Sequence, residues 1–272
     1  MKLAAVITTP EIAAPVPVAF FRGGFAERLD KATALGYDGV ELMVLDPTQL
    51  DAGEIAGALD ARGLSACAIG TGAQFLVDKL TLLAAEPATE QRAFERFVRL
   101  AGFAAEVGSP LVTIGSFRGK LAWGGAGARG RLLETLRRCA EQAAAQGVRV
   151  ALEPLNRYES DIVNTAAEGM ALAEEIGHPA FGLLLDTYHV NIEEPDIAGG
   201  FRTAAPRLWH VHLGDSNRLP PGQGHFDFAL TVRTLREIGY AGFLSAELLA
   251  RPDPDSAAEA TITYMRRLVP RG

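Results

Sequence analysis

Short apolar, β-rich runs recur eight times along this 272-residue chain, with helical windows between them. The runs are Leu3–Ile7, Gly39–Val44, Leu64–Ile69, Leu111–Ile114, Val148–Glu153, Phe181–Asp186, Leu208–Leu213 and Phe243–Glu247. An unbroken apolar run of this length reads as a strand buried on both faces, the kind from which parallel sheets are built. Strands alternating with helices demand parallel pairing, and eight such units in a chain of this size favour closure into a (β/α)8 TIM barrel over an open sheet. The punctuation agrees. Thr165 with Glu168 three residues on forms a capping box, and the helix it opens stops at Gly177 shortly before Pro179. Asp227 caps a helix over Phe228–Ile238 that closes on Gly239. No polar linker divides the chain, so residues 1–272 are expected to form a single catalytic barrel.

The segment Gly125-Ala126-Gly127-Ala128-Arg129-Gly130 matches the dinucleotide fingerprint GxGxxG. That motif requires a strand directly before it, whereas here the loop Gly115–Gly124 intervenes. It therefore reads as part of a flexible loop or lid after strand 4, and no nucleotide cofactor is expected.

Composition narrows the partners. The 48% hydrophobic content suits a large core, and the net charge of −7, with no long run of one sign, speaks against a nucleic-acid surface. Cys67 and Cys139 are the only cysteines, which is no disulfide framework, and both read as inert. Thr8, Thr9, Pro10 and Glu11 cut the first apolar run short of an export signal, and no stretch reaches a membrane span of about 20 residues. The expectation is a soluble, cytoplasmic protein that acts on a small molecule.

The segment Leu183–Glu194, LLLDTYHVNIEE, changes from apolar to polar at Asp186. Other strands end in the same way, at Glu153 before Pro154, at His212 and at Glu247. These residues lie roughly 30 positions apart, one βα unit each. In a barrel such exits share one rim, where inward side chains converge over the axis. Three carboxylates and an imidazole suit an oxygen-preferring divalent cation such as Mn²⁺, Mg²⁺ or Co²⁺, and four protein ligands leave two octahedral positions for adjacent sugar oxygens. Without a cation, three gathered carboxylates repel one another and take up protons. Taken singly, each residue has an ordinary alternative, a strand-end carboxylate paired with a base or a satisfied core histidine, so the set carries the argument. His210 shares the face of His212 by strand alternation. His212, nearer the exit, is chosen as the ligand, and His210 is placed a layer deeper, packing or supporting.

Longer motifs surround these positions. Leu152-Glu153-Pro154-Leu155-Asn156-Arg157-Tyr158-Glu159, Asp186-Thr187-Tyr188-His189-Val190-Asn191-Ile192-Glu193-Glu194 and His210-Val211-His212-Leu213-Gly214-Asp215-Ser216-Asn217-Arg218 resemble the sugar isomerase/epimerase superfamily with the xylose isomerase-like barrel. Within it they are similar to the D-tagatose and D-psicose 3-epimerase group, and Pro221–Asp227 extends the match. Ala68-Ile69-Gly70-Thr71-Gly72 and Ile114–Gly119 are similar to the branch containing 5-keto-L-gluconate epimerase. The resemblance implies that Glu153, Asp186, His212 and Glu247 hold one divalent cation per subunit, with Mn²⁺ foremost and Co²⁺ or Mg²⁺ as alternatives. It implies that Glu153 and Glu247 are the acid/base pair, and that Glu159, His189 and Arg218 bind the sugar. It also implies a homo-oligomer, dimer or tetramer, with no nucleic-acid or membrane partner.

Such a set can invert the carbon beside a ketone through an enediolate, with one glutamate on each face of the sugar. The same groups could instead move the carbonyl, as in an aldose–ketose or hydroxypyruvate-type isomerase, or eliminate water, as in an inosose-type dehydratase. A metal-dependent apurinic endonuclease shares the barrel but assembles a larger cluster with more histidines, and this chain has only five in all. A non-catalytic sugar-binding barrel conflicts with an intact ligand set. Arg118 and Lys120, in the loop after strand 4, are candidates to hold a carboxylate or phosphate at the far end of an anionic sugar.

Overall fold

The computed structural model describes residues 1–271 and contains a closed parallel barrel of eight strands in sequential order. The strands are β1 (Lys2–Thr8), β2 (Gly39–Met43), β3 (Ser65–Gly70), β4 (Leu111–Ile114), β5 (Arg149–Leu152), β6 (Phe181–Asp186), β7 (Leu208–Leu213) and β8 (Phe243–Ala246). Closure is made by β1, which pairs with β2 on one side and β8 on the other. The eight strands are those expected, with no end displaced by more than one residue. Two displacements bear on the site, because Glu153 and Glu247 lie one residue beyond β5 and β8 rather than within them.

Helices follow the strands, the longest being Pro87–Glu106 after β3, Ala128–Ala145 after β4 and Pro254–Leu268 after β8. The capping box at Thr165 is formed and Gly177 ends that helix in the left-handed conformation at φ 69°. Asp227 caps the helix Phe228–Glu237 by accepting a hydrogen bond from the Leu230 amide. Gly127, from the fingerprint-like segment, is the residue before the helix Ala128–Ala145, and the strand it follows belongs to the closed barrel. Among the described residues no helix is long and apolar enough to cross a membrane.

Strand alternation divides the core into two parts. Residues such as Leu3, Ala5, Ile7, Val40 and Leu42 belong to the large outer cluster packed under the helices. Ala4, Ala68, Leu111, Ala151 and Leu184 come from five different strands and touch one another with Trp209 and Phe243, which places them in the barrel interior as an apolar floor. His210 lies opposite Leu184 in the register, at the level of this floor, and His212 lies opposite Asp186 one layer higher. The site is thus a polar layer on an apolar plug.

Candidate metal centre and active site

Four strand exits bring their side chains together as the sequence predicts. Glu153, Asp186, His212 and Glu247 each offer one ligand atom within 4.8 Å of every other. Parallel register alone sets Asp186 beside His212, and the backbone amides of Glu153 and Glu247 are tied to Ile114 O and Leu213 O of the neighbouring strands at 3.0 and 3.2 Å. Gly115 gives Glu153 its space, since a Cβ there would stand 2.6 Å from Glu153 Oε2. His212 Nδ1 lies 3.5 Å from Glu153 Oε1 and 3.6 Å from Glu247 Oε2.

The unpaired atoms of this group point to its ligand. Glu153 Oε1, Asp186 Oδ2 and His212 Nδ1 are all buried and have no hydrogen-bond partner within the protein. Buried polar atoms are costly to leave unmatched, and three converging on one point with a fourth carboxylate beside them fit a cation. The protein groups alone leave the cluster electrostatically unresolved. Burial lifts the Asp186 pKa to about 7, with the Glu153 and Glu247 charges adding to the rise and Arg218 and His212 opposing it. Burial raises that of Glu153 too. A divalent cation would return both to their ionised forms.

Behind the ligands stands Glu41 of β2, a residue that the strand-exit pattern does not reveal. It is 2% exposed, and its Oε2 accepts from Nε2 of both His210 and His212 at 2.9 Å. Burial disfavours a charged His212, but the surrounding Glu41, Glu247 and Glu153 outweigh it and hold the ring protonated well above its ordinary pKa. With Nε2 committed to Glu41, Nδ1 is the nitrogen that would give up its proton to face a cation, the carboxylate–histidine–metal arrangement of many metal sites. Burial disfavours the charged forms throughout this layer, but the two imidazoles outweigh it and hold Glu41 ionised. His210 is pushed down by burial and stays neutral, in keeping with its expected supporting position. Glu41, Cys67 and His210 form a second close group of potential ligands. Burial and the Glu41 charge hold the Cys67 thiol well above its ordinary pKa, so it supplies no thiolate.

A cavity of about 320 Å³ opens over the cluster, walled by Glu159, His189 and Arg218 and by apolar residues including Met43, Leu155 and Leu249. His189 lies on the short helix Thr187–Glu193, which Asp186 caps by accepting from the Tyr188 amide at 2.8 Å. The Asn156 backbone amide donates to His189 Nδ1 at 3.2 Å, and the Asn156 side-chain amide lies 2.8 Å from the same atom. The proton of the neutral ring therefore sits on Nε2. Burial and the nearby cations Arg218 and Arg118 keep that ring neutral. Its Nε2–H, unpartnered and 3.9 Å from Glu153 Oε1, is a donor aimed into the site.

Arg218 occupies a left-handed backbone position at φ 59°, held by its amide to Asp215 O and by the Leu249 amide to its own carbonyl, both at 2.7 Å. The guanidinium reaches Glu247 Oε2 at 2.8 Å, Glu159 Oε1 at 3.5 Å and Asp186 Oδ2 at 3.9 Å, so it neutralises part of the excess negative charge. Asp215, fully buried, organises the loop carrying Arg218 by accepting from the amides of Ser216, Gly222 and Phe226. Glu193 and Glu194 lie outside the site, pairing with Arg157 and with the Ala166 amide.

Arg118 is not where an anion holder for the substrate should be. Its side chain turns inward, 1% exposed, and donates to Glu153 O, Ser160 Oγ, Ile162 O and Val163 O, binding the loop after β5 together. Burial pulls its pKa down to about 10, which still leaves it charged at neutral pH. Both terminal nitrogens donate to acceptors within the protein, and Nε, though unpartnered, is itself buried, so the guanidinium is not presented to a substrate carboxylate. Arg118→Ala should lower stability by about 3 kcal/mol, since it strands several buried acceptors. Thermal unfolding measures this, and an unchanged Tm would return Arg118 to the candidate substrate ligands.

The xylose isomerase-like TIM barrel family matches residues 29–268. The chain belongs to this family. An L-ribulose 3-epimerase of Methylomonas sp. (strain DH-1) is 32% identical over 248 residues, which cover 90% of this chain and 85% of that protein. An L-ribulose 3-epimerase of Mesorhizobium japonicum is 35% identical over 78% of this chain and 71% of its own length. Among solved structures, the D-allulose 3-epimerase from Methylomonas sp. in complex with D-allulose superposes with a TM-score of 0.79 at 26% identity, covering 98% of this chain and 97% of that one. This member of the xylose isomerase-like family is a sugar epimerase/isomerase.

Proposed function

We propose that the protein is a divalent-metal-dependent epimerase that inverts the carbon next to the ketone of a ketose or keto-uronate. The observation that carries this reading is the convergence of unpartnered Glu153 Oε1, Asp186 Oδ2 and His212 Nδ1 beside Glu247 at the floor of a sugar-sized cavity. A cation held by Glu153, Asp186, His212 and Glu247, with Mn²⁺ foremost and Co²⁺ or Mg²⁺ as alternatives, supplies Lewis-acid polarisation of the ketone and balances the three carboxylates.

The remaining work falls to the chain's own residues. A carboxylate has two oxygens, so Glu153 and Glu247 can each contribute one to the ligand set and use the other for proton transfer. They rise from β5 and β8, with two strands between them on the rim, and so can flank the sugar plane. One removes the C–H proton and the other delivers a proton to the opposite face. The His189 Nε2–H and the Arg218 guanidinium donate to the oxygen that gains charge in the enediolate. Glu159, within reach of Asn156 and Arg218, accepts from a substrate hydroxyl. A homo-oligomer, by family resemblance, and a cytoplasmic location, from the short first apolar run, complete the reading.

Chelation should abolish turnover and Mn²⁺ or Co²⁺ should restore it. In D₂O the restored enzyme should incorporate solvent deuterium at the carbon beside the ketone, with inversion there. Movement of the carbonyl would make the protein an isomerase, and loss of water detected by mass would make it a dehydratase.

A further inference from the structure

The reaction cavity has a neighbour. Between the loops after β3, β4 and β5 lies a second hollow of about 250 Å³ that shares Phe75, Ser116, Leu155 and Glu159 with the first. Trp123, Tyr158 and Lys120 also line it, with Gly119 and Ser160. The Phe75 and Trp123 rings stack with centroids 6.1 Å apart and planes 20° from parallel, and Lys120 Nζ lies 5.8 Å from the Trp123 ring centre.

The surface here is unusual for this molecule. Among the described residues the exposed large hydrophobics are Leu76, Val77, Trp123 and Tyr158, and all four belong to these same loops. Contiguous exposed apolar groups rimmed by polar ones mark binding surfaces. Flat aromatic faces with hydroxyl-matching groups beside them suit a ring with an apolar face and a polar edge. The charges of Lys120 and Glu159 oppose each other, which favours a neutral ring over an anionic one. The volume supports this choice, because about 320 Å³ lies at the lower end of the roughly 300–1,000 Å³ of ligand pockets and suits a single sugar. The added hollow makes room for a second.

We propose that the hollow is a subsite for a second pyranose ring, so that the preferred substrate is a keto-sugar carrying a glycosyl group away from the reacting carbon. This rests on the epimerase reading above. The metal-loaded enzyme should be compared on free ketohexoses and on the same ketohexoses bearing a hexosyl group at O4 or O6. At least one glycosylated ketose should exceed its free counterpart at least tenfold in kcat/KM, and Trp123→Ala should reduce that ratio at least tenfold. Preference for the free sugar, or a ratio that Trp123→Ala leaves within twofold, overturns the subsite while leaving the epimerase reading intact.

Turnover of neither sugar would defeat the epimerase reading, and the subsite would then be judged by binding. The chain has two tryptophans, and Trp209 lies in the barrel floor. Glycosylated ketose should produce a saturable change in tryptophan fluorescence that free ketose does not, and Trp123→Phe should remove it. Absence of that change, or a change that follows protein concentration alone because a second copy covers the patch, would overturn the proposal.

Discussion

Glu153→Gln and Glu247→Gln each reduce epimerisation by about three orders of magnitude or more, in a barrel that remains folded. Both replacements are nearly isosteric, and both positions lie just past a strand end, where the backbone is held by a neighbouring strand through amides that the substitution does not touch. An amide cannot accept the C–H proton, so the loss falls on the chemical step. A two-base mechanism makes a further demand. With one base removed, the other can still exchange the proton on its own side of the sugar without inversion. Glu153→Gln and Glu247→Gln, assayed in D₂O at saturating Mn²⁺ with metal content measured, should therefore wash deuterium into opposite epimers. Epimerisation within tenfold of the parent in either variant would remove that residue from proton transfer.

The sequence disclosed the ligand cluster because parallel strands deliver their exits to one rim, so that a carboxylate after an apolar run carries positional meaning. Asp186 and His212 illustrate it, being register partners on adjacent strands. Glu41 stayed hidden for the opposite reason. It sits in the middle of GVELM on β2 and meets the histidines of β7, strands that are not neighbours, so only closure of the barrel brings them together. A carboxylate within an otherwise apolar strand was the available signal, but alternation alone does not say which partner it faces. Arg118 misled because a base in a glycine-rich loop reads as solvated. The loop turns back at Gly119, where φ is 83° and a Cβ would meet Leu83 O at 2.3 Å, and this sends the guanidinium inward. The tautomer of His189 depends on Asn156, 33 residues away, and no local pattern records that contact.

Glu41→Gln should weaken Mn²⁺ binding by about 10- to 100-fold although Glu41 is no ligand, the magnitude found when the group orienting a metal-bound histidine is changed. Its Oε2 is the shared acceptor for His210 and His212. That single charge fixes Nε2 of His212 as the donor to Glu41 and leaves Nδ1 as the nitrogen that faces Glu153 and Glu247. Glutamine keeps an acceptor oxygen but loses the charge, and its amide nitrogen would face an imidazole N–H donor to donor if rotated. Both histidines then compete for one weaker acceptor, and the buried His212 ring loses the preference that presents Nδ1. Glu41→Leu removes the acceptor altogether and should cost stability as well, because two buried N–H groups are left unmatched. Calorimetric titration of the metal-free protein with Mn²⁺ separates these effects from catalysis. Glu41→Asp should recover part of the affinity, since it restores the charge at a shorter reach. An Mn²⁺ affinity unchanged in Glu41→Gln would mean that packing alone orients His212, and that the carboxylate in the barrel interior serves only to satisfy His210.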